Sequence, residues 1–585
     1  MYANSHSPQA NPSSSLLGHP DRHSSHSGSD SNWGGDQGPY SNAGNNVSSS
    51  VVSSKFHLSP DPHEWGSTLY NDTKEPDDAL HNPSIKDHSS SVFTARGLMN
   101  LGCLALLVMT LVTLFAGYPL ISFLTETTQG TQGGFNLGGI NATGQVPEMN
   151  NWGLIDPDTP KAMYTKTSLE DGSKLQLVFS DEFNKEGRTF WPGDDPFWEA
   201  HDMHYWGTNN LEWYSPEAIT TAGGNLVITL SEHEIHDLDY MGGFMSTWNK
   251  LCFQGGYIEA SIVLPGESTV AGLWPAFWTL GNLGRAGYGA TLDGMWPYSY
   301  DACDVGTLPN QTLNSLPEAA MTTGMRYSNY EISWLGGQRL SRCTCDGESH
   351  PGPKHRDGTY VGRAVPELDV IEAQVTGQPR FGHVSLTCQI APFNAYYTWS
   401  NTTDNYELHM GEDVHLNEYQ GGQLQQSVSA LATTNQACYE RSGACYSDYA
   451  VEYKPGFDEG YVHWVSDGKP AWTLRGAGLG ADPLTQISAR PIPVEPMYLI
   501  LNLGMSYNFG DIDMADLVFP VHMYVDYVRV YQRPGEIKTN CDPADYPTAN
   551  YIQTYKEAYN NINMTTWVDD YKQSIPKNRL VDTCT

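Results

Sequence analysis

The sequence predicts an all-β fold, a sandwich or jelly roll built from many short strands. Between about residues 170 and 533, β-branched and aromatic runs such as residues 225–230 and 523–531 alternate with Gly, Pro, Asn and Asp. Helical periodicity is scarce in the same region, which disfavours helical bundles and α/β folds. The chain has 34 Tyr and 16 Trp, residue types that suit pleated and half-buried surfaces, so most of them are expected in the β core.

Residues 1–96 precede the β region and are rich in Ser, His, Asn, Gly and Pro, with almost no apolar periodicity. A segment of this composition does not bury enough apolar surface to offset the entropy lost on folding. We therefore predict a disordered tail.

Residues 97–124 carry no charge and are long enough to span a bilayer, so they predict a transmembrane helix. The run begins too far from the N-terminus, and is too long, to be a cleaved signal peptide. Lys86 and Arg96 precede it, and Glu126 is the first charge after it, which places the tail in the cytoplasm by the positive-inside rule. The sequence thus predicts a single-pass type II protein with a signal anchor. Its C-terminal part would be lumenal or extracellular, in the endoplasmic reticulum, the Golgi or the plasma membrane.

Three further segments follow the predicted span. Residues 125–165 have the composition of a stalk, residues 166–534 hold the predicted β domain, and residues 535–585 form a polar C-terminal extension with a short helix near its middle. Four acceptor sequons for N-glycans lie on the predicted lumenal side, at Asn141, Asn310, Asn401 and Asn563.

The charge balance indicates the class of ligand, and two irregular stretches indicate how the domain is built. The net charge is −35, from 66 acidic and 31 basic residues, which argues against nucleic acid as a ligand and is compatible with a neutral polysaccharide. Residues 284–366 and 394–455 show no regular strand pattern. We expect them to be loops built over one face of the domain rather than a second domain.

Nine of the ten cysteines follow the predicted span, and Cys103 lies within it. Cysteines on one side of a membrane indicate an oxidising compartment, where disulfides form. Because nine is odd, at least one is expected to stay free or to pair between chains. Cys541 and Cys584 are expected to tether the C-terminal extension, although the connectivity stays open. Cys343 and Cys345 lack a second pair at zinc-ligand spacing, so no zinc site is predicted.

The run Pro-Glu-Leu-Asp-Val-Ile-Glu-Ala-Gln at residues 366–374 places Glu367, Asp369 and Glu372 in an apolar strand pattern. Acids rarely lie in such a run unless they are paired or functional. Glu367 and Asp369 share one strand face, and a single β-bulge would return Glu372 to that face.

Two glutamates on one face would form the pair that a retaining glycosidase uses, a nucleophile and an acid/base about 5–5.5 Å apart. Crowding the acids would also separate their pKa values. The motif by itself leaves open a simpler reading, which is an acidic cluster on a solvated strand edge.

Several segments, in chain order, resemble glycoside hydrolase family 16, the β-jelly-roll enzymes that include laminarinases and β-glucan transglycosylases. They are Ser-Asp-Glu-Phe-Asn at residues 180–184 and the segments at residues 209–216, 224–228, 256–265, 272–278, 366–374, 498–502 and 524–531. The chain also resembles the fungal membrane proteins associated with β-1,6-glucan synthesis, which share its type II layout, Ser-rich tail and cysteine-bearing extension. Residues 289–301 and 391–393 are typical of that group. The resemblance implies a concanavalin-like jelly roll.

Roles for the acids follow from the resemblance, which implies that Glu367 is the nucleophile, that Glu372 is the acid/base, and that Asp369 hydrogen-bonds the nucleophile. It also gives candidate sugar contacts, for each of which core packing explains a Trp at least as well. These candidates are Trp274, Trp278, Trp296, Trp464 and Gln389. Some relatives bind calcium, but Glu182 and Asp526 lack a ligand-loop pattern, so no metal and no cofactor is expected.

The resulting hypothesis is a membrane-anchored, retaining β-glucan glycosidase or transglycosidase acting in fungal cell-wall β-1,6-glucan biosynthesis. Its expected partners are β-glucan, the membrane and, through the cytoplasmic tail, a glucan synthase or the secretory machinery. Two alternatives stay open: a non-catalytic glucan-binding scaffold that assists a synthase, and an indirect role in the folding or trafficking of other wall enzymes.

Overall fold

The computed structural model describes residues 95–117 and 153–584. Residues 1–94 of the predicted tail, the end of the predicted span at residues 118–124, most of the predicted stalk and Asn141 lie outside these ranges. The two described ranges belong to separate compact units, and each is described by itself.

The first unit contains helix α1, Ala95–Val112, which continues as the π-helical turn Thr113–Gly117. Its apolar side chains from Leu101 onward are exposed. Within residues 95–117 and 153–584, no helix combines the length and the apolar character that crossing a membrane requires.

The second unit is built from 21 strands and a few short helices. The strands are β1 (Thr165–Thr167), β2 (Lys174–Asp181), β3 (Glu199–Ala200), β4 (Met203–His204), β5 (Glu212–Tyr214), β6 (Ile219–Ala222), β7 (Asn225–Ile235), β8 (Leu238–Ser246), β9 (Gly256–Val263), β10 (Trp274–Gly281), β11 (Glu367–Thr376), β12 (Phe381–Ile390), β13 (Tyr406–Leu408), β14 (Val414–Leu416), β15 (Gly421–Gly422), β16 (Gln425–Thr433), β17 (Ser447–Lys454), β18 (Tyr461–Ser466), β19 (Lys469–Arg475), β20 (Met497–Gly504) and β21 (Val521–Gln532). The helices are α2 (Gly289–Leu292), α3 (Glu318–Thr322), α4 (Ala549–Thr554) and α5 (Lys556–Asn560).

Most strands form two antiparallel sheets, which confirms the predicted β-sandwich, while β4 pairs with β5 and β5 runs parallel to β8. The back sheet has the order β1–β2–β21–β9–β17–β18–β19–β13, with β7 and β6 beside the first half of β21. The front sheet has the order β3–β8–β20–β10–β11–β12–β16, and β14 and β15 both pair with β16. β11, which carries the three acids, is therefore a central strand of the front sheet.

Apolar side chains of the two sheets meet in one core, which includes Phe179 and Ile258 of the back sheet and Phe277 of the front sheet. β20 is buried on both faces. Its Leu499 and Leu501 lie in this core, whereas Tyr498 and Ile500 lie in a second cluster on the opposite face of the sheet. Because β20 is covered on both sides, neither of its faces meets solvent, and this explains its continuous run of apolar residues.

Residues 282–366, all of them described, contain α2, α3 and irregular turns but no strand, as predicted. The prediction that residues 394–455 form loops is wrong in part, because β16 and β17 lie within them. β16 is made largely of Gln, Ser and Ala, so it lacks the β-branched signal of a buried strand. It forms because β12 and β14 pair with its two sides.

Four disulfides link Cys252 to Cys541, Cys303 to Cys343, Cys345 to Cys584, and Cys438 to Cys445. Cys103 and Cys388 are free. The predicted tether of the C-terminal extension through Cys541 and Cys584 is thus confirmed, as is the short helical segment within it. The extension packs into the second cluster through buried aromatic side chains such as Trp567.

Candidate active site

A β-bulge brings the three acids of β11 to one face of the front sheet. Between Asp369 and Glu372, β11 advances by three residues while β12 advances by two. Val370 and Ile371 are both fully buried in the core, as the extra residue of a bulge allows. Glu372 therefore returns to the face that Glu367 and Asp369 occupy, and the bulge predicted from the sequence is confirmed.

Glu367 accepts a hydrogen bond of 2.6 Å at Oε2 from Nε1 of Trp296. Asp369 forms a second side-chain hydrogen bond with Glu367. Nε2 of Gln389 donates to Oδ2 of Asp369 at 3.3 Å. Because an indole nitrogen can only donate, the contact with Trp296 stabilises the ionised form of Glu367.

The hydrogen bonds that Glu372 accepts are longer than the one that Glu367 accepts from Trp296. Nε1 of Trp274 donates to Oε1 of Glu372 at 3.1 Å, and the hydroxyl of Ser385 donates to Oε2 at 3.4 Å. The Trp274 ring stacks on Phe509 with ring centroids 4.1 Å apart, which fixes the indole. Longer hydrogen bonds stabilise the anion of Glu372 less than that of Glu367.

The environment raises the pKa of all three carboxyls. Desolvation at the cleft floor, together with the charge of Glu372, raises the pKa of Glu367 to about 8. Desolvation raises the pKa of Glu372 to about 7. The pKa of Asp369 lies well above its usual range because this residue is buried between the two glutamates. The cluster therefore keeps protons at neutral pH.

When one proton leaves the pair of glutamates, their hydrogen bonds decide which of them carries the charge. The shorter bond from Trp296 and the neighbouring Asp369 favour the anion on Glu367 and the shared proton on Glu372.

The acids lie in the floor of a cleft of about 1310 Å³. Side chains of β10, β11, β12, β16 and β20 line it, together with loops that precede β5, cross residues 284–366 and follow β20. Its aromatic lining, apolar on the ring faces and polar at the rims, matches the surface of a sugar chain. The aromatic residues are Tyr205, Trp206, Tyr214, Phe244, Trp274, Trp278, Trp296, Tyr327, Tyr396, Tyr397, Tyr419, Tyr507 and Phe509.

Four of the five predicted sugar contacts line this cleft. Trp274, Trp296 and Gln389 do so while hydrogen-bonding the acids. Trp278 is 9% exposed, and its Nε1 donates to Oδ1 of Asn502 at 2.7 Å. The structure thus brings these four residues together with the three carboxyls.

The prediction that Trp464 contacts sugar is wrong. Trp464 is fully buried in β18 of the back sheet and stacks on Trp472, with ring centroids 4.5 Å apart. Its Nε1 donates to the main-chain oxygen of Asp369 at 2.8 Å, so it supports β11 from the core side. All six residues of β18 are buried, and a strand without polar alternation gives no indication of which face a side chain occupies.

Two residues were missed from the sequence, one that lines the cleft and one that lies behind its lining. Asn502 of β20 lies at the end of an apolar run and anchors Trp278. Glu212 of β5 is buried just behind the lining residue Tyr214, and desolvation raises its pKa to about 7. Asn502 could have been found, because it is a polar residue on the same strand face as Tyr498. Nothing in the sequence around Glu212 distinguished it from a surface acid.

The two acids considered as calcium ligands are Glu182 and Asp526, and Glu182 forms an ion pair with Arg529. Glu182 accepts two hydrogen bonds from Arg529, at 2.9 and 2.6 Å. In the described ranges, no group of three or more His, Cys, Asp or Glu side chains could hold a metal. Of the predicted glycan sites, Asn401 and Asn563 are exposed and Asn310 is half-buried.

The fold and the site define an all-β sandwich protein with an aromatic-lined cleft over a cluster of one buried and two half-buried carboxyls. The chain belongs to the family described as beta-glucan synthesis-associated protein SKN1/KRE6/Sbg1, whose model matches residues 67–584.

Two relatives illustrate the family. The chain is 40% identical over 576 residues to the beta-glucan synthesis-associated protein KRE6 of Saccharomyces cerevisiae, covering 94% of this chain and 75% of that protein. It is 37% identical over 601 residues to KRE6 of Candida albicans, covering 98% of this chain and 75% of that protein. Among solved structures, the endo-beta-1,3-glucanase of Pyrococcus furiosus matches with 19% identity and a TM-score of 0.35, over 63% of this chain and 98% of the glucanase.

Proposed function

We propose that this protein is a retaining glycosidase or transglycosidase of β-glucan, with Glu367 as nucleophile and Glu372 as acid/base. The observation that carries the proposal is the bulge in β11, which aligns both glutamates on the cleft floor. A bulge and three desolvated acids are costly features for a strand that has only a structural role. Membership of a family associated with beta-glucan synthesis supports β-glucan as the substrate.

In the first step, a carboxylate oxygen of Glu367 attacks the anomeric carbon and forms a glycosyl ester. The bond from that carbon to the glycosidic oxygen breaks, and its electron pair stays on the departing oxygen. Glu372 supplies the proton that this oxygen takes up. Trp296 holds the charge on Glu367 before the attack through its 2.6 Å hydrogen bond.

In the second step, Glu372 acts as the base. It removes a proton from water or from a sugar hydroxyl, whose oxygen attacks the anomeric carbon while the ester bond to Glu367 breaks. Water gives hydrolysis, and a sugar hydroxyl gives transfer to a second chain. Transfer suits a protein that takes part in wall synthesis, since hydrolysis alone would shorten the product.

Asp369 is a positioning residue in this scheme. Its pKa, raised by burial between the two glutamates, keeps it protonated, so its hydroxyl can donate to Glu367. Gln389 accordingly fixes the orientation of the Asp369 carboxyl through its 3.3 Å contact. Asp369 and Gln389 together stabilise the negative charge on Glu367 without adding another anion to the cleft.

We also propose that the domain acts in the lumen or outside the cell, anchored through residues 97–124. The four disulfides support an oxidising compartment. The tail at residues 1–96 would remain cytoplasmic and available to a glucan synthase or to the secretory machinery.

The test is to incubate the purified full-length chain with β-1,3- and β-1,6-linked gluco-oligosaccharides and to follow the products by mass. Shorter products indicate hydrolysis and longer ones indicate transfer, and both should disappear in Glu367→Gln. The proposal fails if oligosaccharides bind unchanged and Glu367→Gln restores the wall of a deficient fungal strain as well as the wild type does. The protein would then be a glucan-binding scaffold.

A further inference from the structure

Tyr396 has an unusual backbone for an exposed aromatic residue. It lines the cleft and is 66% exposed, yet its φ is 58° and its ψ is 20°, in the left-handed region. The next residue, Tyr397, has a φ of 55°. Residues with a bulky side chain rarely adopt this region, and such strain collects at functional sites.

The surrounding structure holds this segment in place with buried polar groups. The side chain of Gln426 in β16 accepts a hydrogen bond from the Asn394 amide at 2.8 Å and donates to the Tyr397 carbonyl oxygen at 2.9 Å. The amide of Ala395 donates to Oδ2 of Asp482 at 2.7 Å. Tyr396 is therefore presented to the cleft by a fixed turn beside β16.

Arg490 adds a fully buried charge to this support. Its guanidinium donates to the carbonyl oxygen of Pro392 at 2.7 Å and to Oδ1 of Asn394 at 2.7 Å. Within residues 153–584, its hydrogen bonds all go to neutral acceptors. Burying an arginine in this way is costly, and what it achieves here is to fix the turn that carries Tyr396.

Tyr327 joins Tyr396 on the cleft wall from a different loop. It is 53% exposed and lines the same cleft. The loop that carries it is tied to the Tyr396 segment, because the Tyr397 hydroxyl donates to the carbonyl oxygen of Ile332 at 2.9 Å. Two exposed aromatic rings are thus held on connected loops at the β16 end of the cleft.

This end of the cleft lies beyond the reacting centre. From β11, the sheet continues through β12 to β16, two strand spacings or roughly 10 Å away. A sugar residue against Tyr396 would therefore be separated from the one at the acids by further sugar residues. An aromatic face without charge suits a neutral glycan chain.

We propose that Tyr396 and Tyr327 form a remote subsite that binds a distant part of the β-glucan chain and so makes the protein selective for long chains. The inference rests on the proposed function and adds to it how a polymer is distinguished from a short oligosaccharide.

The test compares Tyr396→Gly with Tyr330→Gly, both in the full chain with Glu367→Gln to prevent turnover. Tyr330 is a matched control, since its φ is 65° and it is 51% exposed but does not line the cleft. Glycine accepts the left-handed region, so both variants should keep the melting temperature of the parent. Calorimetry would measure binding of β-linked gluco-disaccharides and gluco-hexasaccharides.

We expect Tyr396→Gly to weaken hexasaccharide binding about five- to tenfold and to leave disaccharide binding unchanged. Tyr330→Gly should bind both as the parent does. Equal hexasaccharide affinity in Tyr396→Gly and the parent, the same loss in both variants, or no binding by the parent would overturn the inference. A selective loss in Tyr396→Gly, combined with no glucan conversion by the wild type, would support the subsite and refute the proposed enzymatic function.

Discussion

Nε1 of Trp296 lies 2.6 Å from Oε2 of Glu367, and the C-terminal extension helps to hold it there. The main-chain amide of Trp296 donates to the carbonyl oxygen of Leu292, at the end of α2. At the start of α2, the amide of Ala290 donates to the carbonyl oxygen of Met564 at 2.9 Å. The extension is thus connected to the donor that stabilises charge on the candidate nucleophile.

Trp296→Phe removes that donor while keeping an aromatic ring. Since hydrogen bonds to charged groups contribute about 1.5–3 kcal/mol, the pKa of Glu367 should rise and the acidic limb of the pH–rate profile should move upward by about one to two pH units. The profile of kcat/KM on a β-gluco-oligosaccharide measures this shift.

Trp278→Phe is the control for Trp296→Phe, because the Trp278 indole donates to Asn502 rather than to an acid. It should change substrate affinity without moving the acidic limb. An unmoved limb in Trp296→Phe, or an equal shift in both variants, would show that the Trp296 bond does not set the charge on Glu367.

Glu372→Gln removes the group that protonates the leaving oxygen. Glucan conversion should fall about 10²- to 10⁴-fold. The first step should survive with an aryl β-glucoside, whose phenolate departs without a proton, so a burst of phenol should precede slow turnover. Glu367→Gln should give no burst with either donor. Loss of the burst in Glu372→Gln, or its presence in Glu367→Gln, would contradict the assigned roles.

Glu372 should also reduce the stability of the fold as pH rises. Its pKa of about 7 means that the folded state keeps a proton that the unfolded state releases above about 4.5, so stability falls between these two pH values. Allowing for solvent in the cleft, Glu372→Gln should be more stable than the wild type by about 2 kcal/mol at pH 8 and equal to it at pH 4.

Urea unfolding at the two pH values measures this difference in the free energy of unfolding. The exposed Glu412 provides the control, and Glu412→Gln should change stability by less than about 0.5 kcal/mol at either pH. A Glu372→Gln variant that is less stable than the wild type at pH 8 would mean that Glu372 is ionised and well stabilised in the folded protein.

The disulfides differ in the length of chain that they close. Cys252 and Cys541 are 289 residues apart, whereas Cys438 and Cys445 are 7 apart. Loop-closure entropy then makes the first bridge more stabilising by about 3 kcal/mol. Paired Cys→Ser variants are compared by thermal unfolding. Removing the long bridge should lower the free energy of unfolding much more than removing the short one. Equal losses would mean that native contacts of the extension, rather than chain entropy, determine its contribution.

The sequence was most informative where the spacing of the three acids conflicted with the alternation of a regular strand. Three acids in an apolar run, with Glu372 out of phase, required a bulge for a shared face, and the bulge is present. It was least informative where burial is uniform. Trp464 and Trp278 both lie in strands of mainly buried residues, and only the tertiary fold determines that the first faces the core and the second the cleft.

Contacts between distant segments explain the remaining differences. β16 contains few β-branched residues, and it forms because the neighbouring strands β12 and β14 pair with it. The nine cysteines after the predicted span required at least one that stays free or pairs between chains. That the free one is the buried Cys388 depends on the three-dimensional neighbours of the other eight. Tyr396 stands out only through a backbone angle that no residue pattern encodes.

The most direct test of the account is to trap the glycosyl-enzyme. The full-length chain is treated with an activated 2-deoxy-2-fluoro β-glucosyl donor, which slows the second step, and is then digested and analysed by mass spectrometry. We expect one added sugar on the peptide that contains residues 366–374, attached to Glu367, and no adduct in Glu367→Gln. An adduct on Glu372, or none on a protein that converts glucan, would contradict it.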